Sequence, residues 1–540
     1  MNNFKIILIS AIAVFTLAGC GTSKKVYDIA ANSVKSTANI TKKTSLKEDD
    51  LKRWSHLDIQ KDTVPGMSVD KAYAELLKDK TGVKVIVGVV DSGVDIEHED
   101  LKSSIWTNTK EIANNGIDDD KNGYIDDIHG WNFLGDIVKE NLEYERILAK
   151  SVGVDEATFK EAQKTYDVKV EGAQQDKTQL ENMLTGLTKA DEILTKHLGK
   201  STYTTEEVNT IESLDSNVNQ SKKIMKSMFS FGLSVLDLKA EIQKELDGRI
   251  STLKGKNFTT DYRKVVGDNP NNIKDNKYGN NNVMGPDKEK ALHGTHVAGI
   301  IAQTRANALG GDGVANNVEI MAVRAVPDGD EYDKDVALAI RYAVDNGAKI
   351  INTSFGKYFS PHKNWVYDAI KYAAKKDVLI VHSAGNESKD NDKEINYPND
   401  HDGKDKEFAD NLLTIGALNF ELGDKVVANF SNFGTKNVDV FAPGVKIYAT
   451  TPKNTYKYLQ GTSMASPNVA GVAALIRSYY PKLKASQVKH ILMDSGVSIS
   501  SNIIVGDATK ESRSFSSLSK SGKIVNAYNA LLLADKMTKK

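Results

Sequence analysis

The segment Val83-Lys84-Val85-Ile86-Val87-Gly88-Val89-Val90 is apolar at almost every position, and this leaves the chain few ways to fold. A strand with one face in water alternates apolar and polar residues, whereas a strand buried on both faces reads as a continuous β-branched run. Similar runs recur at Ile320 to Val326, Ala348 to Ile351, Val378 to Val381 and Leu412 to Ile415. Helix-like segments such as Asp335 to Asn346 and Trp365 to Lys375 lie between them. Alternation of this kind predicts an α/β fold, a parallel sheet with helices on both faces.

The stretch 137–258 departs from that pattern. It has no proline, and Leu180, Leu184, Leu187, Leu194 and Leu198 share one helical stripe. Ile224, Met228, Phe231, Val235, Leu238 and Ile242 step by four and three, as a helix packed on another helix requires. A large helical insertion is therefore expected, with the sheet domain over 53–136 and 259–540. A Leu and Met stripe at this period is core rather than a cofactor box, and no organic cofactor is expected.

At the N-terminus, Lys5 precedes an apolar run over 6–18 that closes on Leu17-Ala18-Gly19-Cys20. The run is too short to span a bilayer, which takes about 20 residues, so 1–19 reads as a removable signal peptide. Leu-Ala-Gly-Cys resembles the bacterial lipoprotein box, which implies lipidation at Cys20 and an exported protein of the cell envelope, anchored to a bacterial membrane. Cys20 is the only cysteine, so no intramolecular disulfide forms. Residues 20–52, rich in Ser, Thr, Lys and Asn, read as a flexible tether. With 71 basic and 72 acidic side chains, overall charge gives no reason to expect nucleic acid as a partner.

Three short blocks carry the chemistry. The strand ending at Val90 runs into Asp91-Ser92-Gly93, placing a carboxylate where open α/β sheets build sites, although an Asp there is often only a turn residue. In Leu292-His293-Gly294-Thr295-His296-Val297-Ala298-Gly299-Ile300 a histidine opens an apolar helix. The block lacks the His-Glu-x-x-His pattern of a zinc peptidase, so His293 suits a general base and His296 a structural role. In Gly461-Thr462-Ser463-Met464-Ala465-Ser466-Pro467 the serine stands where a helix begins, with proline in its first turn. A serine there is commonly just an N-cap.

Together, and in the order Asp, His, Ser, these blocks resemble the three signatures of the subtilisin family. The resemblance covers roughly 53–135 and 260–500. It implies a serine endopeptidase acting on polypeptides, with Asp91, His293 and Ser463 as catalytic triad and Asn386 of Ser383-Ala384-Gly385-Asn386 as oxyanion donor. It further implies that Ser354, Phe355 and Gly356 pair with an extended substrate. The pocket for the side chain before the scissile bond falls to Ala384, Gly385, Glu387 at the rim and Asn396 at the floor, with Glu387 favouring basic or polar groups. An inactive tethered binding protein using the helical insertion is the alternative that loss of a triad residue would favour, and all are present.

The sequence departs from the family in three respects. Asp91 and His293 are 202 positions apart, more than the usual spacing, and the helical stretch accounts for most of the excess. The segment after Cys20 is too short for the usual inhibitory propeptide, and Glu99 stands where proline is common. One more motif, Asp118-Asp119-Asp120-Lys121-Asn122-Gly123-Tyr124-Ile125-Asp126-Asp127, matches the first half of an EF-hand-like calcium loop. Asp118, Asp120, Asn122 and the Tyr124 carbonyl are its candidate ligands. His129 occupies the place of the closing Glu, so Asp126 or Asp127 would substitute. An acidic turn is the simpler alternative.

Overall fold

The computed structural model describes residues 46–150, 152–229, 234–253, 258, 260–401, 406–506 and 510–539; the signal segment, Cys20 and Phe231 lie outside them. Two compact units emerge, one ending at Glu140 and resuming at Arg263, the other Asn141–Tyr262.

The first unit is built on strands β1 (Val85–Asp91), β2 (Gly130–Asn132), β3 (Val318–Arg324), β4 (Ile350–Thr353), β5 (Leu379–Ser383), β6 (Leu412–Leu418) and β7 (Val440–Pro443). They pair in parallel in the order β7-β6-β5-β4-β1-β3-β2. Lys523–Ile524 extends the β7 edge in parallel and Val497–Ser498 closes it antiparallel, so the sheet is mostly parallel. On β1, Val85, Val87 and Val89 face a core layer shared with the helices Leu292–Ala302 and Thr462–Tyr479. Val90 faces the opposite layer, shared with Asp333–Asp345 and Lys363–Lys375. Both faces are thus apolar, which is why the run shows no alternation. Gly88 lets a helix approach closely, since a Cβ there would lie 3.0 Å from that of Ala343.

β1 pairs with β3 on one side and β4 on the other, so the chain reverses direction at the carboxyl end of β1, and Asp91 sits at that switch point. The segment leaving β2 is tied down by the buried Arg324. Its guanidinium donates to the carbonyls of Ser92 (3.0 Å), Gly135 (3.1 Å) and Ile137 (2.6 Å) and to Asn132 Oδ1 (3.0 Å). Asp328 then pairs with this segment, donating to the Val138 carbonyl at 2.8 Å and accepting from the Glu140 amide at 3.0 Å. That pairing keeps 137–140 in the sheet unit, beyond the boundary expected at Asp136. On the return side, Arg263 donates to Asp335 at 2.7 Å and to Asp268 at 2.6 Å, all buried. The helix Glu48–Lys52 forms inside the segment expected as tether.

The second unit has its own core. Its long helix Glu156–Leu198 starts at Asp155, whose carboxylate accepts from the Thr158 amide at 2.7 Å, and ends at Gly199 with φ +67°. Leu187 and Leu194 are buried against Met225 of Ser216–Phe229 and against Leu238 and Ile242 of Val235–Leu253. Among the described residues no helix is long and apolar enough to cross a membrane.

Candidate functional site

At the carboxyl end of β1, Asp91 is 1% exposed and its Oδ1 lies 2.7 Å from Nδ1 of His293, while the Ser92 amide donates to the same oxygen at 2.7 Å. The approach is possible because Gly294 has no side chain: a Cβ there would stand 2.1 Å from the Gly93 carbonyl and 3.1 Å from Asp91 Oδ1. Burial works against a charged His293, but the Asp91 charge and hydrogen bond outweigh it, so the imidazole titrates above its ordinary value. With Nδ1 held by Asp91, Nε2 is the nitrogen left to take a proton. His296, one turn on, is buried with Nε2 at 3.0 Å from the Lys457 carbonyl. Burial lowers its pKa to about 4, so it stays neutral.

Ser463 stands at the start of the buried helix Thr462–Tyr479. Its hydroxyl donates to the Ser354 carbonyl at 3.2 Å, and the Ser354 hydroxyl donates back to the Ser463 carbonyl at 2.9 Å. Ser354 also lines the cavity that holds Asp91 and His293. Asn386 is brought to the same place by Thr462, whose amide and hydroxyl donate to Asn386 Oδ1 at 2.8 and 3.0 Å. The Thr462 hydroxyl in turn accepts from the Gly385 amide at 3.1 Å. Two donors acting on Oδ1 fix the amide orientation and turn Nδ2 the other way. The point where Gly461 would carry a Cβ is 3.6 Å from the Ser463 amide and from Asn386 Oδ1 and 3.7 Å from Asn386 Nδ2, so the Asn386 side chain and the Ser463 amide stand close together.

The Subtilase family model matches residues 82–522 of this chain. The chain belongs to the subtilase family. It is 43% identical over 191 residues to a thermophilic serine proteinase of Bacillus sp. strain AK1, covering 34% of this chain and 42% of that protein. Subtilisin DY of Bacillus licheniformis is 37% identical over 216 residues, 40% of this chain and 73% of its own. A solved protease structure from Pseudoalteromonas arctica PAMC 21717 aligns over 45% of this chain and 70% of its own at 29% identity, with a TM-score of 0.36.

In this subtilase the segments expected to meet a substrate come together around Asn396. Lys357 and Tyr397 exchange backbone hydrogen bonds of 3.1 and 2.9 Å, which brings Asn396 beside Gly356. The Asn396 amide lies between the walls: its Oδ1 is 2.5 Å from where Gly356 would carry a Cβ, and its Nδ2 2.9 Å from that point on Gly385. Oδ1 of Asn396 is buried and has no hydrogen-bond partner among the described residues. Ala384 and Phe355 are also buried. Glu387 is exposed, but its Oε2 accepts from Tyr358 and Asn432, neither of which any sequence block marks.

The acidic loop also closes differently from its linear pattern. Glu111, Asp118 and Asp120 offer three carboxylate oxygens within 4.8 Å of one another. Asp126 instead accepts from the Asn115 and Gly116 amides at 3.1 and 2.9 Å. Asp127 accepts from Asn108 (2.9 Å), Asn122 (3.0 Å) and Tyr342 (2.6 Å), and burial raises its pKa to about 6. The Tyr124 ring packs edge-on against Trp131 and Tyr342. Nothing in the sequence pattern points to Glu111, because it lies outside the loop and reaches it by folding. Glu99 donates its backbone N–H to Asn454 Oδ1 at 2.8 Å, a bond that proline could not make.

Proposed function

We propose that this subtilase is an exported serine endopeptidase, lipid-anchored through Cys20, that hydrolyses peptide bonds through an acyl-enzyme. The observation that carries the reading is the 2.7 Å contact between Asp91 and His293, two residues 202 positions apart, beside a serine at a helix start. Asp91 holds the imidazole so that Nε2 accepts the Ser463 proton; Ser463 Oγ attacks the scissile carbonyl; His293 returns the proton to the leaving amine. A water activated by the same imidazole then releases the acyl group. Attack requires the Ser463 hydroxyl to turn from the Ser354 carbonyl toward His293. Asn386 Nδ2 and the Ser463 amide meet the oxyanion in the space beside Gly461. Incubation with casein and with a serine-directed fluorophosphonate tests the reading; absence of both cleavage and labelling would refute it.

The mechanism needs a neutral imidazole, and Asp91 raises the His293 pKa. Activity is therefore lost as pH falls through a value above the ordinary 6.5. The acidic limb of kcat/KM for a small peptide should inflect above that value, and an inflection below it would contradict the Asp91 contact.

The acidic loop supports a calcium site. Three carboxylates crowded together are hard donors suited to Ca²⁺, and Glu111, Asp118 and Asp120 would hold it, screening their mutual repulsion. At about 100 Kd such an ion adds about 2.7 kcal/mol to the native state. Chelation should lower the melting temperature, and Glu111→Gln should remove most of the calcium-dependent rise. A melting temperature that does not respond to calcium would reduce the loop to a turn.

A further inference from the structure

Lys357 follows Gly356 in the segment expected to pair with substrate, yet it is only 4% exposed. Its Nζ donates to the Glu331 carbonyl at 2.7 Å and lies 2.9 Å from Asp333 Oδ1, a carboxylate buried to the same degree. Asp333 is held in turn, since Oδ1 accepts from the Ser360 hydroxyl and Oδ2 from the His362 amide, each at 2.8 Å. Glu331 lies in the loop after β3, and Asp333 opens the helix that follows. That loop also supplies Val326, Pro327 and Asp328 to the cavity of about 370 Å³ shared by Asp91, His293 and Ser354. One buried ammonium therefore crosses from the loop carrying Ser354 to another loop lining the same cavity.

The two ends of Ser354–Gly356 are anchored separately. The Ser354 hydroxyl accepts from Asn352 Nδ2 at 2.8 Å and donates to the Ser463 carbonyl at 2.9 Å. Beyond Gly356, the Lys357 backbone exchanges hydrogen bonds with Tyr397 and its side chain makes the crossing. Lysine is rarely buried, and an apolar side chain of similar volume would avoid desolvating an ammonium. What the ammonium adds is direction, because its N–H donors fix the spacing between acceptors on one loop and the backbone of the other. We propose that Lys357 is a positioning residue for substrate: it holds Ser354–Gly356 at a set distance from the loop after β3, so that a long peptide is gripped by both. This role rests on the serine endopeptidase reading and on Ser354–Gly356 pairing with an extended chain. Because the Ser354 end is anchored independently, loss of the crossing should weaken binding away from the scissile bond and leave the chemistry at Ser463 in place.

Two chromogenic peptides, one with a single residue and one with four residues before the scissile bond, read the two ends separately. Lys357→Met keeps an unbranched stem and removes the donors. It should raise KM for the longer peptide by about tenfold, less than the roughly 10²-fold that a misplacement of about 1 Å costs, with kcat within about twofold. The shorter peptide should change by less than about twofold, so the long-to-short ratio of kcat/KM falls by roughly tenfold. Asp333→Asn weakens the same crossing from its other end and should lower the ratio in the wild type but add nothing to Lys357→Met. A folded, fluorophosphonate-labelled Lys357→Met enzyme that keeps the wild-type ratio overturns the proposal. So does an equal loss on both peptides, a loss in kcat alone, or an Asp333→Asn effect that is undiminished in the Lys357→Met background. Should Lys357→Met not fold, Asp333→Asn decides, and an unchanged ratio in that variant overturns the proposal. A wild type that neither labels nor cleaves either peptide overturns the peptidase reading itself, whereas a labelled wild type whose kcat/KM does not rise with peptide length overturns only the role of Lys357.

Discussion

Ser463→Ala should abolish casein cleavage and fluorophosphonate labelling together, with kcat falling by about 10⁶, the magnitude known for removing the nucleophile of a subtilisin. The fold should survive. Among the described residues the Ser463 hydroxyl makes one hydrogen bond, to the Ser354 carbonyl at 3.2 Å, and such a bond contributes about 1 kcal/mol. The reciprocal bond from Ser354 to the Ser463 carbonyl is untouched. A melting temperature near wild type with no turnover therefore separates loss of chemistry from loss of structure. Retained labelling in a folded Ser463→Ala protein would remove Ser463 from the mechanism.

Asn386→Leu should lower kcat by about 10²–10³ with little change in KM, the loss measured when a subtilisin is deprived of such a donor. Leucine alone is an ambiguous test here, because Asn386 also accepts from the Thr462 amide and hydroxyl. Losing that acceptor would loosen the turn that carries Ser463. Asn386→Asp keeps an oxygen for Thr462, removes the N–H donor and adds a negative charge beside the oxyanion, so its loss should be at least as large. If both variants lose turnover at similar KM, the amide is responsible; if Asp retains wild-type kcat, Asn386 serves only to hold Thr462. An effect confined to KM would place Asn386 in substrate binding and not beside the oxyanion.

Much of this molecule is visible in one dimension. The Val83 to Val90 run announces a strand with two buried faces because it lacks alternation, and the structure places Val89 and Val90 in opposite core layers. The leucine stripe around Leu187 and Leu194 announces a helical pack for the same reason, since the period of burial is the period of the backbone. The blocks around Asp91, His293 and Ser463 are legible because each is a local solution to a backbone problem: a strand end, a close glycine contact, a helix start.

Residues that act by meeting a distant partner leave no such trace. Glu111, outside the motif, meets Asp118 and Asp120 and accepts from the Asp120 and Asp126 amides, while Asp126 and Asp127 accept from donors of other segments. Thr462 sits beside Ser463, but its grip on Asn386 exists only because the loop after β5 and the helix start converge. Tyr358 and Asn432 meet Glu387 from separate segments, so no single stretch of sequence marks the contact. The sequence by itself determined which segments form strands and helices and which of their ends carry reactive groups. Tertiary structure alone decided which carboxylates meet and which donors are aimed at them, because hydrogen-bond partners are assigned by the spatial approach of loops whose own sequences carry no period.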